Sequence, residues 1–279
     1  MTFDPFKIRA LVPQFDALSE GYRLASAATR ARHPVEADLA YGDGPRQRLD
    51  IFVPPGGGTG RPVHMFFHGG YWRANDRENF HFVADTVLAA GAIAVIVEYT
   101  LMPGARMAQL VDEARRAAAW VSTHIGAYGG DAGRLTASGH SAGAHLASYL
   151  AQQAPHEHGL PATRPKALLL VSGIYDLRPI VLSFLQPEIG LTAEEVAAFS
   201  PVDARQAPDT ALTLVVGGAE TEPFHLQAQD LAFAAHKRGA PVERLTVSGQ
   251  DHMTIVRDMG VPGTRMADLL TETIARGAL

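Results

Sequence analysis

Gly139-His140-Ser141-Ala142-Gly143 lies near the middle of the 279-residue chain. The run before it, residues 134–138, is typical of a short strand, and residues 144–150 are typical of a helix. A G-x-S-x-G pentapeptide between a strand and a helix predicts a nucleophile elbow, in which two glycines permit a turn so sharp that the serine hydroxyl stands clear of the sheet. Alone, the pentapeptide also fits an ordinary glycine-rich turn. The rest of the chain decides between these interpretations.

The composition limits the classes of function. Hydrophobic residues make up 47% of the chain and charged residues 19%, as in an ordinary globular domain. The net charge of −5 and the lack of a basic block argue against nucleic acid or an anionic membrane as a partner. Without cysteine there can be no disulfide, thiolate nucleophile or cysteine-ligated zinc. We expect a cytoplasmic protein, because neither a secretion signal nor an apolar run of the roughly 18 residues that span a bilayer is visible.

Apolar runs alternate with helical patterns from residue 63 onward. Such alternation predicts right-handed crossovers, and hence an α/β fold with a mostly parallel sheet and helices on both faces. The predicted strands cover residues 63–67, 92–97, 134–138, 167–171, 211–216 and 242–247, and the predicted helices cover about 80–90, 110–121, 144–150, 224–238 and 263–276. We therefore predict one α/β domain over residues 1–279.

Two parts of the chain lie outside this alternation. Residues 1–34 have a helical pattern, and residues 36–41 and 49–53 predict an antiparallel pair of strands. Residues 173–205 form a long irregular connection after a predicted strand. Because long connections at the carboxyl edge of a sheet often carry binding loops, we predict that 173–205 is a small cap inserted over the site.

Polar segments follow five of the predicted strands, and the carboxyl ends of parallel strands meet at one edge of a sheet. In chain order these segments are residues 68–72, Ser141, Asp176, residues 217–222 and residues 250–252. A serine is therefore followed by carboxylates and then by a histidine. This order is much harder to obtain by accident than the pentapeptide alone, and it is the order that an α/β-hydrolase requires.

With these motifs, the chain after about residue 35 resembles the α/β-hydrolase fold. Within that fold, His68-Gly69-Gly70-Tyr71-Trp72 together with residues 139–145 resembles the kynurenine formamidase (arylformamidase) group. Residues 172–177 and 224–227 are also similar to that group, and residues 98–103 are similar to the D-Y-R-L-A-P segment of lipase-like esterases. The pentapeptide at 68–72 is fairly specific, whereas the elbow marks only the fold.

Ser141 is the predicted nucleophile, and a serine hydroxyl needs a base within hydrogen-bond reach. His252 is the predicted base, because imidazole can take the proton and return it to a leaving group near neutral pH. An acid would hold the other ring proton of the histidine and stabilise the imidazolium.

The acid has three candidates. The resemblance implies Glu220, through its distance from the preceding glycines and the Phe224 that follows, although the family generally has aspartate there and Glu220 is a departure. Glu222 is an alternative, because in an extended loop it would point the same way as Glu220. Asp176 is another, since an acid can also be supplied one strand earlier.

Backbone N–H groups are predicted to stabilise the oxyanion that forms when a carbonyl is attacked. Each such donor contributes about 10²–10³ in rate in known cases. The amide of Ala142 follows the nucleophile directly, and the loop at 68–72 is expected to present the amides of Gly70 and Tyr71. We expect His68 to brace this loop by hydrogen bonding, without a catalytic role.

Four aromatic residues are expected on loops at the mouth of the site, where they would form a flat, apolar pocket for an aryl substrate. They are Trp72, Tyr175, Phe184 and Phe224. His140 and His145 are expected to pack around the elbow. No metal is predicted, because His156 and His158 lack partners at metal-ligand spacing, and no nucleotide cofactor is predicted, because no glycine-rich phosphate motif follows a strand.

The resemblance implies a serine hydrolase that cleaves an aryl formamide, such as N-formyl-kynurenine, through a formyl-enzyme intermediate. A carboxylesterase acting on small esters with the same three residues is the alternative, and a non-catalytic binding protein of hydrolase fold is a third interpretation. The expected partner is a small-molecule substrate, and we expect a homodimer.

Overall fold

Ten strands are present in the computed structural model, which describes residues 3–278. They are β1 (Val35–Ala40), β2 (Arg48–Phe52), β3 (Arg61–Phe67), β4 (Ile93–Val97), β5 (Gly130–His140), β6 (Gln152–Gln153), β7 (Ala167–Val171), β8 (Arg205–Gln206), β9 (Ala211–Gly217) and β10 (Val242–Val247). Eight of them form one sheet in the order β1-β2-β4-β3-β5-β7-β9-β10, and β6 pairs with β8 separately. In the large sheet β2 runs in the direction opposite to the other seven strands, which are all parallel to one another. The predicted mostly parallel sheet is therefore confirmed.

Ten α-helices accompany these strands. They are α1 (Ile8–Leu11), α2 (Phe15–Arg32), α3 (Val83–Ala89), α4 (Met107–His124), α5 (Ala142–Ser148), α6 (Gln186–Ile189), α7 (Ala193–Ala198), α8 (Glu222–Lys237), α9 (Thr254–Arg257) and α10 (Arg265–Arg276). Short 3₁₀ helices occupy Arg77–Phe80, Ile125–Tyr128, Ile180–Leu182, Pro201–Asp203 and Asp258–Gly260. None of the helices within residues 3–278 has both the length and the apolar character needed to cross a membrane.

The central strands are buried over almost their whole length. All five residues of β4 and of β7 are buried, whereas the edge strands β1 and β10 are largely exposed. Continuous apolar runs are typical of parallel strands that are covered on both faces. Helices α3 and α10 pack together in one group and α4 and α5 in another, both in contact with the sheet. Helix α4 buries the predicted face that includes Leu110, Ala114 and Val121.

The structure differs from the predicted helical pattern at two places. In the N-terminal region, α1 and α2 are separate helices. Val12 is extended because the proline after it disfavours helical backbone in the preceding residue. The helix expected from about residue 80 begins only at Val83, after the 3₁₀ turn Arg77–Phe80, where the amide of Arg77 donates to the buried carboxylate of Glu98.

Residues 173–205 contain two short helices and two 3₁₀ turns in place of a regular crossover. Helix α7 begins with a capping box, in which Thr192 and Glu195 exchange hydrogen bonds. The segment is attached to the body of the domain by Arg106, whose guanidinium contacts the Glu195 carboxylate and the carbonyl oxygen of Ile189. Its role as a cap stays a prediction.

Two buried histidines make stability depend on pH. His64 in β3 lies 2.8 Å and 2.7 Å from the hydroxyls of Thr136 and Ser138, and burial lowers its pKa to about 3. Burial lowers the pKa of His145 in α5 to about 4. In the unfolded chain each of these histidines takes up a proton with a pKa of about 6.5, whereas in the folded chain each stays neutral until the pH is much lower. Their contribution to stability is therefore complete above pH 6.5 and is lost as the pH falls toward 3–4.

We expect the free energy of unfolding to decrease below pH 6.5 by up to about 1.4 kcal/mol per pH unit for each of these histidines. The measurement is urea unfolding between pH 7 and pH 4. His64→Gln should remove one such contribution to the slope, and His124→Gln, at an exposed position, serves as the control. An unchanged slope in His64→Gln would contradict the prediction.

Candidate active site

Ser141 forms a sharp turn between β5 and α5. Its backbone has φ 56° and ψ −121°, which for a residue other than glycine costs of order 1–3 kcal/mol. A Cβ atom at Gly139 would lie 2.3 Å from the carbonyl oxygen of Gly143, and one at Gly143 would lie 2.1 Å from that of Phe67. Both positions therefore require glycine. The strand and the helix on either side of the pentapeptide are those the sequence predicts.

A cavity of about 770 Å³ opens above this turn, and both Ser141 and His252 line it. Both residues are shielded from bulk solvent, at 2% and 5% exposure. Among the hydrogen bonds of the described residues, His252 makes one through Nδ1 and one through its carbonyl oxygen, and none with the Ser141 hydroxyl. In unliganded enzymes a nucleophile–base contact is often long and tightens when substrate binds.

Glu220 contacts the imidazole of His252. The Nδ1–Oε2 distance is 2.7 Å, and because a carboxylate accepts, Nδ1 carries the proton and Nε2 is left as the acceptor. The other carboxylate oxygen accepts from the Ser172 hydroxyl at 2.5 Å and from the amide of Gly217 at 2.7 Å. Both oxygens of Glu220 are thus held in place, and the side chain is fully buried.

Neither alternative acid makes a hydrogen bond with His252 among residues 3–278. Asp176 contacts the guanidinium of Arg178 at 2.7 Å. Glu222 is the first residue of α8, so the expectation that it lies in an extended loop with Glu220 is wrong. The proline at the start of α8 suits a first helical turn, where its missing N–H costs nothing.

Ser172 is a contact residue of the site that sequence reasoning missed. It follows β7, has a left-handed φ of 50°, and donates its hydroxyl proton to Glu220. It belongs to residues 172–177, which the sequence analysis noted only for a family resemblance. A serine at a strand end is too common to indicate this role without the acid beside it.

The segment His68–Trp72, here called the H-G-G loop, follows β3 at the same edge of the sheet. No hydrogen bond within residues 3–278 uses the amide of Gly70, Tyr71 or Ala142 as donor. Gly70 has φ 132°, and a Cβ there would lie 2.2 Å from the carbonyl oxygen of Ala74, so this turn also requires glycine. Three free N–H groups are thus available next to the cavity.

His68, the first residue of the H-G-G loop, is completely buried. Its ring nitrogens lie 2.8 Å from the carbonyl oxygen of Gly69 and 3.0 Å from the carboxylate of Glu98, and its ring stacks on Tyr99 at 4.4 Å between centroids. Although burial opposes it, hydrogen bonds from His68 and the Arg77 amide, with the nearby charge of Arg46, lower the pKa of Glu98. The loop therefore rests on a buried charged group.

His140 packs against His252. Its Nε2 donates to the carbonyl oxygen of His252 at 2.9 Å, and the two ring centroids are 4.6 Å apart. Burial, and then the neighbouring His252, lower the pKa of His140 well below its usual range, so its imidazole is neutral. His145 contacts the Phe199 carbonyl oxygen at 2.9 Å.

The expectation of four aromatic side chains at the mouth is wrong for three of them. Phe184 lines the cavity, but Trp72, Tyr175 and Phe224 are fully buried, because they pack into the core beneath the site. Phe224 lies in α8 instead of a loop, and its ring contacts that of His252 at 4.5 Å. The aromatic lining is made instead by Phe184 with Tyr71 and three residues that were not predicted at the site, Phe15, Tyr22 and Phe80.

The N-terminal helices also contribute to the cavity, which sequence reasoning missed. Residues 7–9 and residues of α2 line it together with the H-G-G loop. Within residues 3–278, no cluster of three or more histidine, cysteine or acidic side chains is arranged to hold a metal ion.

The chain is similar to several known proteins. A kynurenine formamidase from Danio rerio is 28% identical over 260 residues, which cover 91% of this chain and 87% of that protein. An isoprenylcysteine alpha-carbonyl methylesterase from Arabidopsis thaliana is 30% identical over 54% of this chain and 36% of its own length.

A crystal structure from Silicibacter sp. TM1040, provisionally described as a thioesterase, has a TM-score of 0.84 at 24% identity and covers 97% of both chains. This likeness concerns the fold alone. Residues 64–256 match the model of a protein family with the alpha/beta hydrolase fold. Because that match spans well over half of the chain, including Ser141 and His252, the protein belongs to the α/β-hydrolase family.

Proposed function

We propose that this protein is a serine hydrolase that cleaves aryl formamides such as N-formyl-kynurenine. The observation that carries the proposal is the 2.7 Å contact between Glu220 and His252, a histidine that lines the same cavity as Ser141. The formamide substrate is supported by the similarity to a kynurenine formamidase over most of both chains. The residues of the H-G-G loop agree with it.

In this mechanism, His252 accepts the hydroxyl proton of Ser141 through Nε2 while the serine oxygen attacks the formyl carbon. Glu220 keeps Nδ1 protonated and stabilises the imidazolium that forms. The amides of Gly70, Tyr71 and Ala142 donate to the carbonyl oxygen as it becomes negatively charged.

The tetrahedral intermediate collapses when His252 returns the proton to the aniline nitrogen, which leaves as a free arylamine. Ser141 is then a formyl ester. Water, activated by His252, attacks that ester and releases formate and the free serine. His140 supports this cycle because its hydrogen bond to the His252 backbone fixes the position of the base.

A carboxylesterase acting on small esters is the second candidate. It is favoured by the similarity of half of this chain to a methylesterase, and ester cleavage needs the same three residues. A homodimer, a cytoplasmic location and a cap at 173–205 stay predictions.

Removal of the nucleophile tests the hydrolase proposal. We expect Ser141→Ala to lower kcat by at least about 10³-fold, because the attacking oxygen is gone. A fluorophosphonate probe should label the unmodified chain and fail to label Ser141→Ala. Labelling that persists in the variant would move the nucleophile to another residue. An unmodified chain that reacts with neither probe nor substrate would favour a non-catalytic binding protein.

The acid is tested by isosteric amides. Glu220→Gln should lower kcat by about 10³–10⁴-fold, since the amide cannot hold His252 in the required tautomer. Glu222→Gln and Asp176→Asn are the matched controls and should retain near-normal turnover. Loss of turnover in either control, with a normal rate in Glu220→Gln, would move the assignment to that residue.

A substrate panel separates the two candidate activities. We expect kcat/KM for N-formyl-kynurenine to exceed that for nitrophenyl esters, and to fall among the esters as the acyl chain lengthens, because a site shaped for a formyl group excludes larger acyl groups. A preference for butyrate or longer esters would instead support the carboxylesterase.

A further inference from the structure

The catalytic cavity is lined by more basic than acidic side chains. The basic ones are Lys7, Arg9, Arg23 and Arg73, and the acidic ones are Asp16, Glu20 and Glu188. Each carboxylate is paired with one arginine, at 2.8, 2.5 and 2.7 Å in Arg9–Asp16, Arg23–Glu20 and Arg73–Glu188. Lys7 makes no ion pair within residues 3–278, so it leaves the cavity with one excess positive charge in a chain whose net charge is −5.

The segment that carries Lys7 is tied to the catalytic loops. The hydroxyl of Tyr71, in the H-G-G loop, donates to the carbonyl oxygen of Phe6 at 2.5 Å. The ring of Phe6 is buried and meets Phe224 edge-on at 5.8 Å between centroids. Phe224 in turn packs on His252. Phe6, the residue directly before Lys7, is therefore held by Tyr71 of the H-G-G loop and by Phe224, which packs on His252.

Two further contacts hold the same segment. The hydroxyl of Thr221, the residue after Glu220, donates to the carbonyl oxygen of Pro5 at 2.9 Å. The carboxylate of Asp4 accepts from the amide of Phe184 at 2.6 Å. Residues 4–6 are thus fixed to three separate loops around the cavity, and the backbone position of Lys7 relative to Ser141 is fixed with them.

We propose that Lys7 is a specificity-determining residue, which binds the carboxylate of an anionic substrate at a distance from the reacting carbonyl. The proposal rests on the hydrolase function above. The arginines of the cavity already contact carboxylates, whereas Lys7 contacts none within residues 3–278. Because Lys7 is exposed at the rim, water weakens its attraction for an anion, and the effect should fall on KM.

The test compares two substrates that differ only at the carboxylate, N-formyl-kynurenine and its α-carboxamide. The preference for the carboxylate substrate is the KM of the carboxamide divided by the KM of N-formyl-kynurenine. In Lys7→Gln this ratio should decrease about 3- to 10-fold. Lys7→Glu should decrease it further, because the charge is reversed. Lys237→Gln, a lysine on the far end of α8 and outside the cavity, is the matched control and should keep the original ratio.

Ionic strength gives a second readout that a purely structural role of Lys7 would not affect. In the unmodified protein, 1 M salt should reduce the preference for the carboxylate substrate, since the Debye length shrinks to about 3 Å. In Lys7→Gln the remaining preference should be insensitive to salt. An unchanged ratio in Lys7→Gln at both salt concentrations overturns the proposal while the hydrolase function stands.

Failure of the formamidase proposal is distinguishable from failure of this one. If the protein cleaves esters but no formamide, the same ratio is measured with the acetyl ester of 3-hydroxybenzoate and that of 3-hydroxybenzamide. A preference for the carboxylate ester that Lys7→Gln reduces supports the anion site on an esterase. Equal KM values for the two esters in the unmodified protein overturn it.

Discussion

The backbone of Gly143 lies directly against the carbonyl oxygens of Phe67 and His68, so closely that a Cβ would come within 2.1 and 2.5 Å of them. This close approach joins the elbow to the H-G-G loop. It places the proposed oxyanion donors beside the proposed nucleophile, because β3 and β5 are parallel neighbours whose carboxyl ends meet at one edge. The strained turn at Ser141 and the free amides above it both depend on this contact.

Buried polar contacts hold the other parts of the site. Glu220 accepts from Ser172, Gly217 and His252, and these three bonds orient a carboxylate that has no access to solvent. Desolvation strengthens each bond but makes an unsatisfied partner costly. The same logic applies beneath the H-G-G loop, where Glu98 accepts from several groups at once. The proposed base and the H-G-G loop are thus each held in position by a hydrogen-bonded buried carboxylate.

The walls of the cavity have a different origin from its floor. The floor is built from strand ends, whereas much of the rim comes from the N-terminal helices and from the irregular segment 173–205. Elements of this kind can change without disturbing the sheet. A floor of strand ends and a separately built rim are compatible with the similarity of this chain to both a formamidase and a methylesterase.

By itself, the sequence determined the alternation of strands and helices, the elbow at Ser141 and the order of the proposed catalytic residues, since these depend on periodicity and on strand ends that are local in the chain. It left Glu220, Glu222 and Asp176 open. Only the tertiary structure decided which carboxylate contacts His252, which aromatic side chains are buried, and that the N-terminal segment lines the cavity. Those outcomes depend on contacts between distant residues, such as Pro5 and Thr221, 216 positions apart, and no local pattern records them.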